Sequence, residues 1–400
     1  MVRGSRWFIL GIAVVAQIAS VSGMLGVPFV IPELRDAYHL STAQAGALAG
    51  LPSLGLLLTL IGWGVVIDRR GERFTMTVSL LLTAGFLMLL GAADSATGVG
   101  VVLLLVGAAG GPVNAASGRL VLGWFAPRER GLAMGIRQGA QPLGMALAAA
   151  VLPLTAAHHG FVVAMLLPAV LALATVPFVL LFATAPDRSP ASGGDPARTA
   201  NPGSPYRHWR IWRVHGASVL LIVPQFTLAT YSLVYLVDEH GWPAPVAGAV
   251  VAAGQVPGAL ARLAAGVWSD RTGSRLRPVR ILAAACAAAL LLLAGASTLL
   301  PGAAVVLLLV CLVLSVSHNG LTFTAVAETA GLAWAGRAMA TQNSLQALGS
   351  TVTPLLMGLT VDGWGFPAAF ALAGVFAALA IVAVPGPGRG AAGAARWSAT

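Results

Sequence analysis

Gly64-Val65-Val66-Ile67-Asp68-Arg69-Arg70-Gly71-Glu72-Arg73 is a short charged run set between two long apolar stretches. It returns 202 positions later as Gly266-Val267-Trp268-Ser269-Asp270-Arg271-Thr272-Gly273-Ser274-Arg275, with Gly, Asp, Arg, Gly and Arg at the same offsets. In each copy a hydrophobic segment leads in and another follows. A repeat of this kind predicts two halves built on one plan.

The surrounding composition says what the halves are made of. Of 400 residues, 58% are hydrophobic and 9% are charged. A soluble domain has no means of hiding so much apolar surface. The apolar runs reach roughly 20 residues or more, enough to cross a bilayer as helix, and lack the ten-residue alternation of a membrane barrel. The net charge of +10 comes entirely from Arg, concentrated in short inter-segment stretches, where basic residues set topology; nucleic acid is not an expected partner. Cys286 and Cys311 both fall within spans and make no disulfide or metal framework. Trp7 to Ile31 is too long for a signal-peptide core and reads as an uncleaved first span.

Twelve spans are expected, near 7–31, 43–67, 74–93, 99–123, 131–155, 161–183, 211–236, 243–267, 279–299, 302–326, 337–361 and 367–385. With both termini in the cytoplasm, the inside segments hold 19 Arg and the outside ones hold Arg35 alone. That bias orients the chain as a multi-pass protein of the cell inner (plasma) membrane, N and C termini inside. Most of the Trp residues fall near span ends, at headgroup level. Residues 184–210 are rich in Pro, Ser, Gly, Asp and Arg, and predict a cytoplasmic linker between bundles at 1–183 and 211–385. A Gly/Ala/Arg-rich tail at 386–400 is expected to be disordered as well.

Six spans, a linker, six more spans and a doubled charged run resemble the major facilitator superfamily of secondary transporters. Its signature, Gly-x-x-x-Asp-Arg-x-Gly-x-Arg between the second and third spans, is met by Gly64, Asp68, Arg69, Gly71 and Arg73. The weaker copy between spans eight and nine is met by Gly266, Asp270, Arg271, Gly273 and Arg275. The resemblance implies an all-α integral membrane fold of 12 transmembrane helices in two pseudo-symmetric six-helix bundles. It also implies that Asp68 and Asp270 lie against helix N-termini of the opposite bundle and latch the cytoplasmic side, where the dipole favours a carboxylate. For Arg70, Arg73 and Arg275 the simpler role of topology determinant is preferred.

Polar side chains deep in a membrane are costly, so their positions are informative. Near span centres stand Gln17, Asn114, Gln138, Gln141, Gln225, Gln255, His318, Asn319, Gln342, Asn343 and Gln346. Spans 3, 6, 9 and 12 have no amide, charge or His in their interiors. In the superfamily those four support the bundle from outside while the others line a cavity. At an offset of 205, Arg137, Gln141 and Gly144 of span 5 match Gln342, Gln346 and Gly349 of span 11, and spacings of four and three put each trio on one helix face. Two polar rows are therefore expected to face one cavity, although inter-helix bridging is the other role open to mid-span Gln and Asn. Gly131, Gly135 and Gly139 read as a packing stripe.

Arg137 lies about 9 Å from the centre of span 5, on the cytoplasmic side, and no Asp or Glu occupies a span interior. Either a substrate anion partners it, the guanidinium forking onto a carboxylate-like group, or it serves helix C-termini and water in the inner vestibule. Arg119 and Arg262 lie nearer the span ends, where snorkelling or pairing with Glu129, Glu328 or the loop Asp residues is preferred to substrate binding. His318 is the one interior group able to titrate near neutral pH. Residues 131–144 are loosely similar to a stretch of cyanate-permease-related members. Gln141-Pro142-Leu143-Gly144-Met145 departs from the Gly-Pro-x-x-Gly-Gly element of drug/proton antiporters.

The expected activity is secondary transport of a small solute, with an organic anion the preferred class, through rocker-switch alternating access between the two bundles. Proton-coupled multidrug efflux is the alternative, and a non-transporting receptor or scaffold the alternative from another class. No nucleophile–base pair, carboxylate pair or metal cluster suggests an enzyme. No cofactor is expected. The coupling ion stays open, with H+ a candidate, and the chain is expected to act as a monomer with the lipid bilayer and its small-molecule substrate as partners.

Overall fold

The computed structural model describes residues 5–126, 129–184, 204–331 and 334–386. Most of the expected linker and nearly all of the expected tail lie outside the described residues. Twelve helices are numbered in chain order: α1 Arg6–Met24, α2 Ile31–Tyr38, α3 Thr42–Met88, α4 Ala96–Gly110, α5 Pro112–Trp124, α6 Arg130–Phe182, α7 Trp209–Asp238, α8 Ala244–Thr272, α9 Leu276–Leu299, α10 Pro301–Ser317, α11 Asn319–Ala330 and α12 Ala335–Ala383.

These twelve helices are not the twelve spans one for one. Three of them, α3, α6 and α12, are long enough to cross a bilayer twice, and each is interrupted at one glycine: Gly71 (φ 80°), Gly160 (φ 79°) and Gly365 (φ 79°). Positive φ combined with ψ of 164–175° is open to glycine and hardly to any other residue. Conversely, α4 and α5 form one span, as do α10 and α11. Among the described residues nine helical runs are apolar and long enough to span, and dividing the three broken ones gives twelve spans.

The charged run is less of a loop than its sequence suggests. Residues 65–70 stay helical, so Asp68 rides the last turns of the first limb of α3, and only Gly71 leaves helical geometry. In the second copy α8 runs to Thr272 and is closed by Gly273 in the left-handed conformation, φ 60°. It is the second glycine of each copy that turns the chain. Gly64 and Gly266 keep ordinary φ and face open space.

The first span is shorter than 7–31. Helix α1 stops at Met24, a 3₁₀ turn covers Val27–Val30, and α2 follows. Pro28 and Pro32 open the two new segments, where the missing N–H leaves no intrahelical bond undone. Pro112 acts similarly inside the fourth span. Without its N–H the carbonyl of Ala108 is released, and Thr59 Oγ1 (3.0 Å) and Trp63 Nε1 (2.8 Å) of α3 donate to it instead.

The halves are joined along α3–α12 and α6–α8. Gly46 and Gly50 of α3 lie against the carbonyls of Pro354 and Thr351 on α12, and Gly248 of α8 lies against the carbonyl of Ala149 and the ring of Pro153 on α6. Missing side chains let backbones approach at these points. All of them lie toward the end of the molecule away from the Arg-rich runs. The Gly131 stripe is a looser feature: Gly135 meets Leu263 of α8, and Gly139 meets nothing within 4 Å.

Candidate functional site

Arg137 is buried, 5% exposed, on the first limb of α6. Its Nη1 donates to Asn114 O (3.0 Å), Asn114 Oδ1 (2.8 Å) and Ser117 Oγ (3.3 Å), and its Nη2 to Gln138 Oε1 (2.8 Å). Ser117 Oγ in turn donates to Gln17 Oε1 at 3.2 Å. Gln17, Asn114, Arg137 and Gln138, four of the residues singled out by sequence, thus belong to one network across α1, α5 and α6. All acceptors around the guanidinium are neutral, and Arg137 Nε has no partner among the described residues. Gly118 floors it: a Cβ there would stand 3.4 Å from Arg137 Cζ.

Gln141 lies one turn further along α6 and lines a cleft between the halves with Leu25, Pro28, Met145, Gln225, Phe226 and Thr230, among others. The cleft is narrow, with about 10 Å³ of room for a water-sized sphere. Gln225 Oε1 accepts from Asn319 Nδ2 at 2.9 Å. Asn319 Oδ1 and both ring nitrogens of His318 have no partner among the described residues, and His318 is 1% exposed. His318 and Asn319 stand where α10 ends and α11 begins, a discontinuous helix of the kind that carries binding sites in transporters. Gln255 is buried on α8, and Asn343 is half-buried on α12.

Of the two rows only Gln141 lines the cleft, and the row on α12 does not. Gln342 is fully buried, its Oε1 2.5 Å from His215 Nδ1, and Gln346 Nε2 donates to Ser218 Oγ at 2.7 Å. Both reach sideways to α7, which packs along α12. Tyr206, at the described end of the linker, stacks on the other face of His215, with ring planes 4° apart. These two amides bind helices together. The offset of 205 located the helix face, but not the polar neighbour it would meet.

Arg119 pairs with a loop Asp as expected, whereas Arg262 does not. Arg119 bonds Asp68 through Nη1 (2.5 Å) and Glu72 through Nε (2.5 Å). Glu72, 4% exposed in the first turn of the second limb of α3, is a buried acid that the span-by-span reading passed over because it lies inside the charged run. Arg262 meets none of the acids named for it. Glu129 pairs with Arg6, and Glu328 with Arg275, which also binds Asp270. In this conformation Asp68 and Asp270 are each held within their own half, and among the described residues neither bonds to the opposite bundle. Arg69, Arg73 and Arg271 stand exposed at the same end.

The carboxylate against an opposing helix N-terminus exists at the other end of the molecule. Asp362, near the end of the first limb of α12, accepts from the backbone N–H of Thr42 (3.1 Å) and Ala43 (2.8 Å), the first residues of α3. Arg35 Nη1 bonds Asp238 Oδ2 at 2.5 Å beside it, again across the halves. The buried Tyr231 hydroxyl donates to Pro354 O where Gly46 and Gly358 lie close. This end is sealed. At the Arg-rich end the ion pairs among the described residues stay within halves, and Gly62, Gly64, Gly266 and Gly336 meet nothing within 4 Å. The sequence signal for the seal was weak: a lone Asp362 at a span end, and an outside Arg35 with no obvious mate.

Comparison with known proteins places these features. The Major Facilitator Superfamily family model matches residues 12–354. An uncharacterised MFS-type transporter of Mycobacterium tuberculosis is 42% identical over 384 residues, 96% of this chain and 85% of that one. More distant similarity links the chain to a hexuronate transporter of Bacillus subtilis, 25% identical over 36% of this chain and 34% of that one. A probable nitrate/nitrite antiporter of Thermus thermophilus is 29% identical over 63% of this chain and 58% of that one. Among solved structures, a bacterial homologue of the human lysosomal transporter Spinster, inward-facing and unoccupied, superposes with a TM-score of 0.80 at 13% identity, covering 95% of this chain and 97% of that one.

Proposed function

The chain belongs to the major facilitator superfamily and is a multi-pass membrane transporter rather than an enzyme, and from that premise we propose that it moves a small organic anion by alternating access. The observation that carries the cargo class is Arg137: a buried guanidinium surrounded by neutral oxygens, with Nε unpartnered. A desolvated cation without a counter-ion is unfavourable, and an arriving anion relieves it. The fork geometry suits a carboxylate. The amides of Gln138 and Gln141 can donate to the remaining cargo oxygens. Two distant relatives whose names refer to hexuronate and nitrate, both anions, lend support.

In this reading the Arg-rich end faces the cytoplasm, and the structure represents the state open to that side. Asp362 and Arg35 close the outer side, and Asp68 and Asp270 are free to engage when the inner side closes. Uptake into proteoliposomes tests the cargo class. Organic acids, hexuronates among them, are offered to wild type and to Arg137→Ala. Uptake of at least one acid by wild type and its loss in the variant is the expected result. Unchanged uptake of every anion in the variant overturns the assignment.

A further inference from the structure

The end of α12 is held in a way that the end of α6 is not. Arg213 of α7 donates from Nε to Ala383 O (3.1 Å) and from Nη2 to Val382 O (2.7 Å) and Val384 O (3.3 Å). Arg280 of α9 donates from Nη2 to the same Val384 O at 2.8 Å. Bond lengths of 3.3 and 2.8 Å to one oxygen keep the two nitrogens within about 6 Å of each other, close enough for like charges to repel. In the first half the carbonyl of Thr184, just past α6, is met instead by the uncharged indole N–H of Trp124. The second limb of α3, which the repeat matches to α9, has no Arg after Arg73, whereas α9 carries both Arg277 and Arg280. One cation suits a helix C-terminus, but the macrodipole amounts to about half a charge, and two guanidinium groups exceed it. No carboxylate makes up the difference among the described residues. At this end Asp68 and Glu72 are engaged by Arg119, Asp270 and Glu328 by Arg275, and Glu129 by Arg6. Arg280 Nε is buried without a partner.

The surroundings of the pair are apolar and outward-facing. Trp212 beside Arg213 and Ile281 beside Arg280 are exposed, and Val382, whose carbonyl Arg213 binds, is 74% exposed. Trp209, one turn before Arg213, is exposed as well, and indole rings favour the headgroup level of a bilayer. We propose that the phosphate of an acidic phospholipid, from the leaflet at the Arg-rich end, binds at Arg213 and Arg280, with its acyl chains lying over Trp212, Ile281 and Val382. The guanidinium fork matches phosphate oxygens, and one phosphate accepting from both groups replaces their repulsion by a shared attraction. Basic pockets between membrane helices take acidic headgroups on the same terms. The exposed apolar side chains are what make a lipid, rather than a free phosphate ion, the occupant: they offer the chains a surface that a small ion cannot use. The lipid ties α7 and α9 to the last turn of α12. The site shares no residue with the cleft or with the Arg137 network, so it stands apart from the choice of cargo.

Native mass spectrometry of the full chain in detergent tests this by counting bound lipid during titration with phosphatidylglycerol or phosphatidylcholine. Wild type is expected to hold one phosphatidylglycerol in preference to phosphatidylcholine. The double variant Arg213→Gln/Arg280→Gln is expected to bind it about tenfold more weakly, the equivalent of one charge-assisted hydrogen bond. Arg210→Gln/Arg277→Gln removes the same net charge from the same two helices at exposed positions, and is expected to bind as wild type does. Val382→Glu leaves both arginines in place and sets a carboxylate beside them. It is expected to weaken binding similarly, and it decides the matter if Arg213→Gln/Arg280→Gln does not fold. Equal weakening in the two double variants means general attraction to a basic surface and overturns the proposal. Wild-type affinity in Val382→Glu, or no preference for phosphatidylglycerol in wild type, overturns it too. Inorganic phosphate is expected to leave the bound lipid in place; displacement of phosphatidylglycerol by an equal concentration of phosphate rules out the lipid as occupant.

Discussion

Asp362 is the most economical place to disturb the conformational balance. Its carboxylate accepts two backbone N–H groups from the first turn of α3, at 3.1 and 2.8 Å, and so bolts the halves together at the sealed end. Hydrogen bonds to a charged group contribute about 1.5–3 kcal/mol each, and a charge at a helix N-terminus adds about 0.3–1 kcal/mol. Asp362 is exposed, which argues for the low end of both ranges. Asp362→Asn keeps one acceptor and loses the charge, so about 1.5–2 kcal/mol of preference for the sealed state should disappear. At 1.4 kcal/mol per factor of ten, the population open at that end should rise by roughly 10- to 30-fold. Spin labels at Thr97, in the first turn of α4, and Thr298, in the last turn of α9, straddle that end from opposite halves. Pulsed dipolar spectroscopy should show a longer-distance component in Asp362→Asn that is minor in the parent. A distance distribution identical to the parent's would refute the reasoning, since it would mean that the bonds to Thr42 and Ala43 carry no net preference between states.

Three further outcomes are expected. Gly71→Ala should destabilise the protein by about 1–3 kcal/mol because its φ of 80° is forced on a residue with a Cβ, whereas Gly64→Ala, at ordinary φ and in open space, should leave thermal stability unchanged; equal losses in the two would be inconsistent with the turn assignment. Gly118→Val should place methyl groups against the Arg137 guanidinium and abolish anion uptake while Gly118→Ala retains it, and equal uptake in both would show that the guanidinium is not confined there. Burial pushes the Glu33 carboxyl above the usual carboxylate range, and its Oε2 is unpartnered. A raised folded-state pKa means that Glu33 loses stability as pH climbs through and above its unfolded value, so the melting temperature of Glu33→Gln minus that of wild type should increase between pH 4 and pH 7; a difference independent of pH would contradict that sign.

What the sequence made legible is what depends on helix periodicity and solvent. Apolar length and the doubled Gly/Asp/Arg run led directly to a twelve-span chain, because a bilayer leaves a segment of that length few alternatives. Arg137 stood out for the same reason: a charge far from a span end is rare enough to carry information alone. Partner choice was not legible. Gln342 and Arg137 occupy matched positions, yet Gln342 meets His215 of α7, while Arg137 meets Asn114 and Ser117 of α5. The difference lies in which neighbour carries a polar group at the right height, and the repeat does not encode that. Glu72 shows the same limit, since its burial depends on Arg119, 47 positions away.

The asymmetry between the halves also has mechanistic content. The seal is built twice, along α3–α12 and along α6–α8, but the two seams differ in chemistry. Both have close backbone packing, at Gly46 and Gly50 in the first and at Gly248 in the second, and the first adds Asp362 on the N-terminus of α3. A contact made of charge-assisted hydrogen bonds recovers part of its cost from water as it opens. A contact made of close backbone packing loses dispersion with no replacement from water. The Asp362 contact is therefore the part of the seal expected to give way first when the sealed end opens, ahead of the glycine packing in either seam.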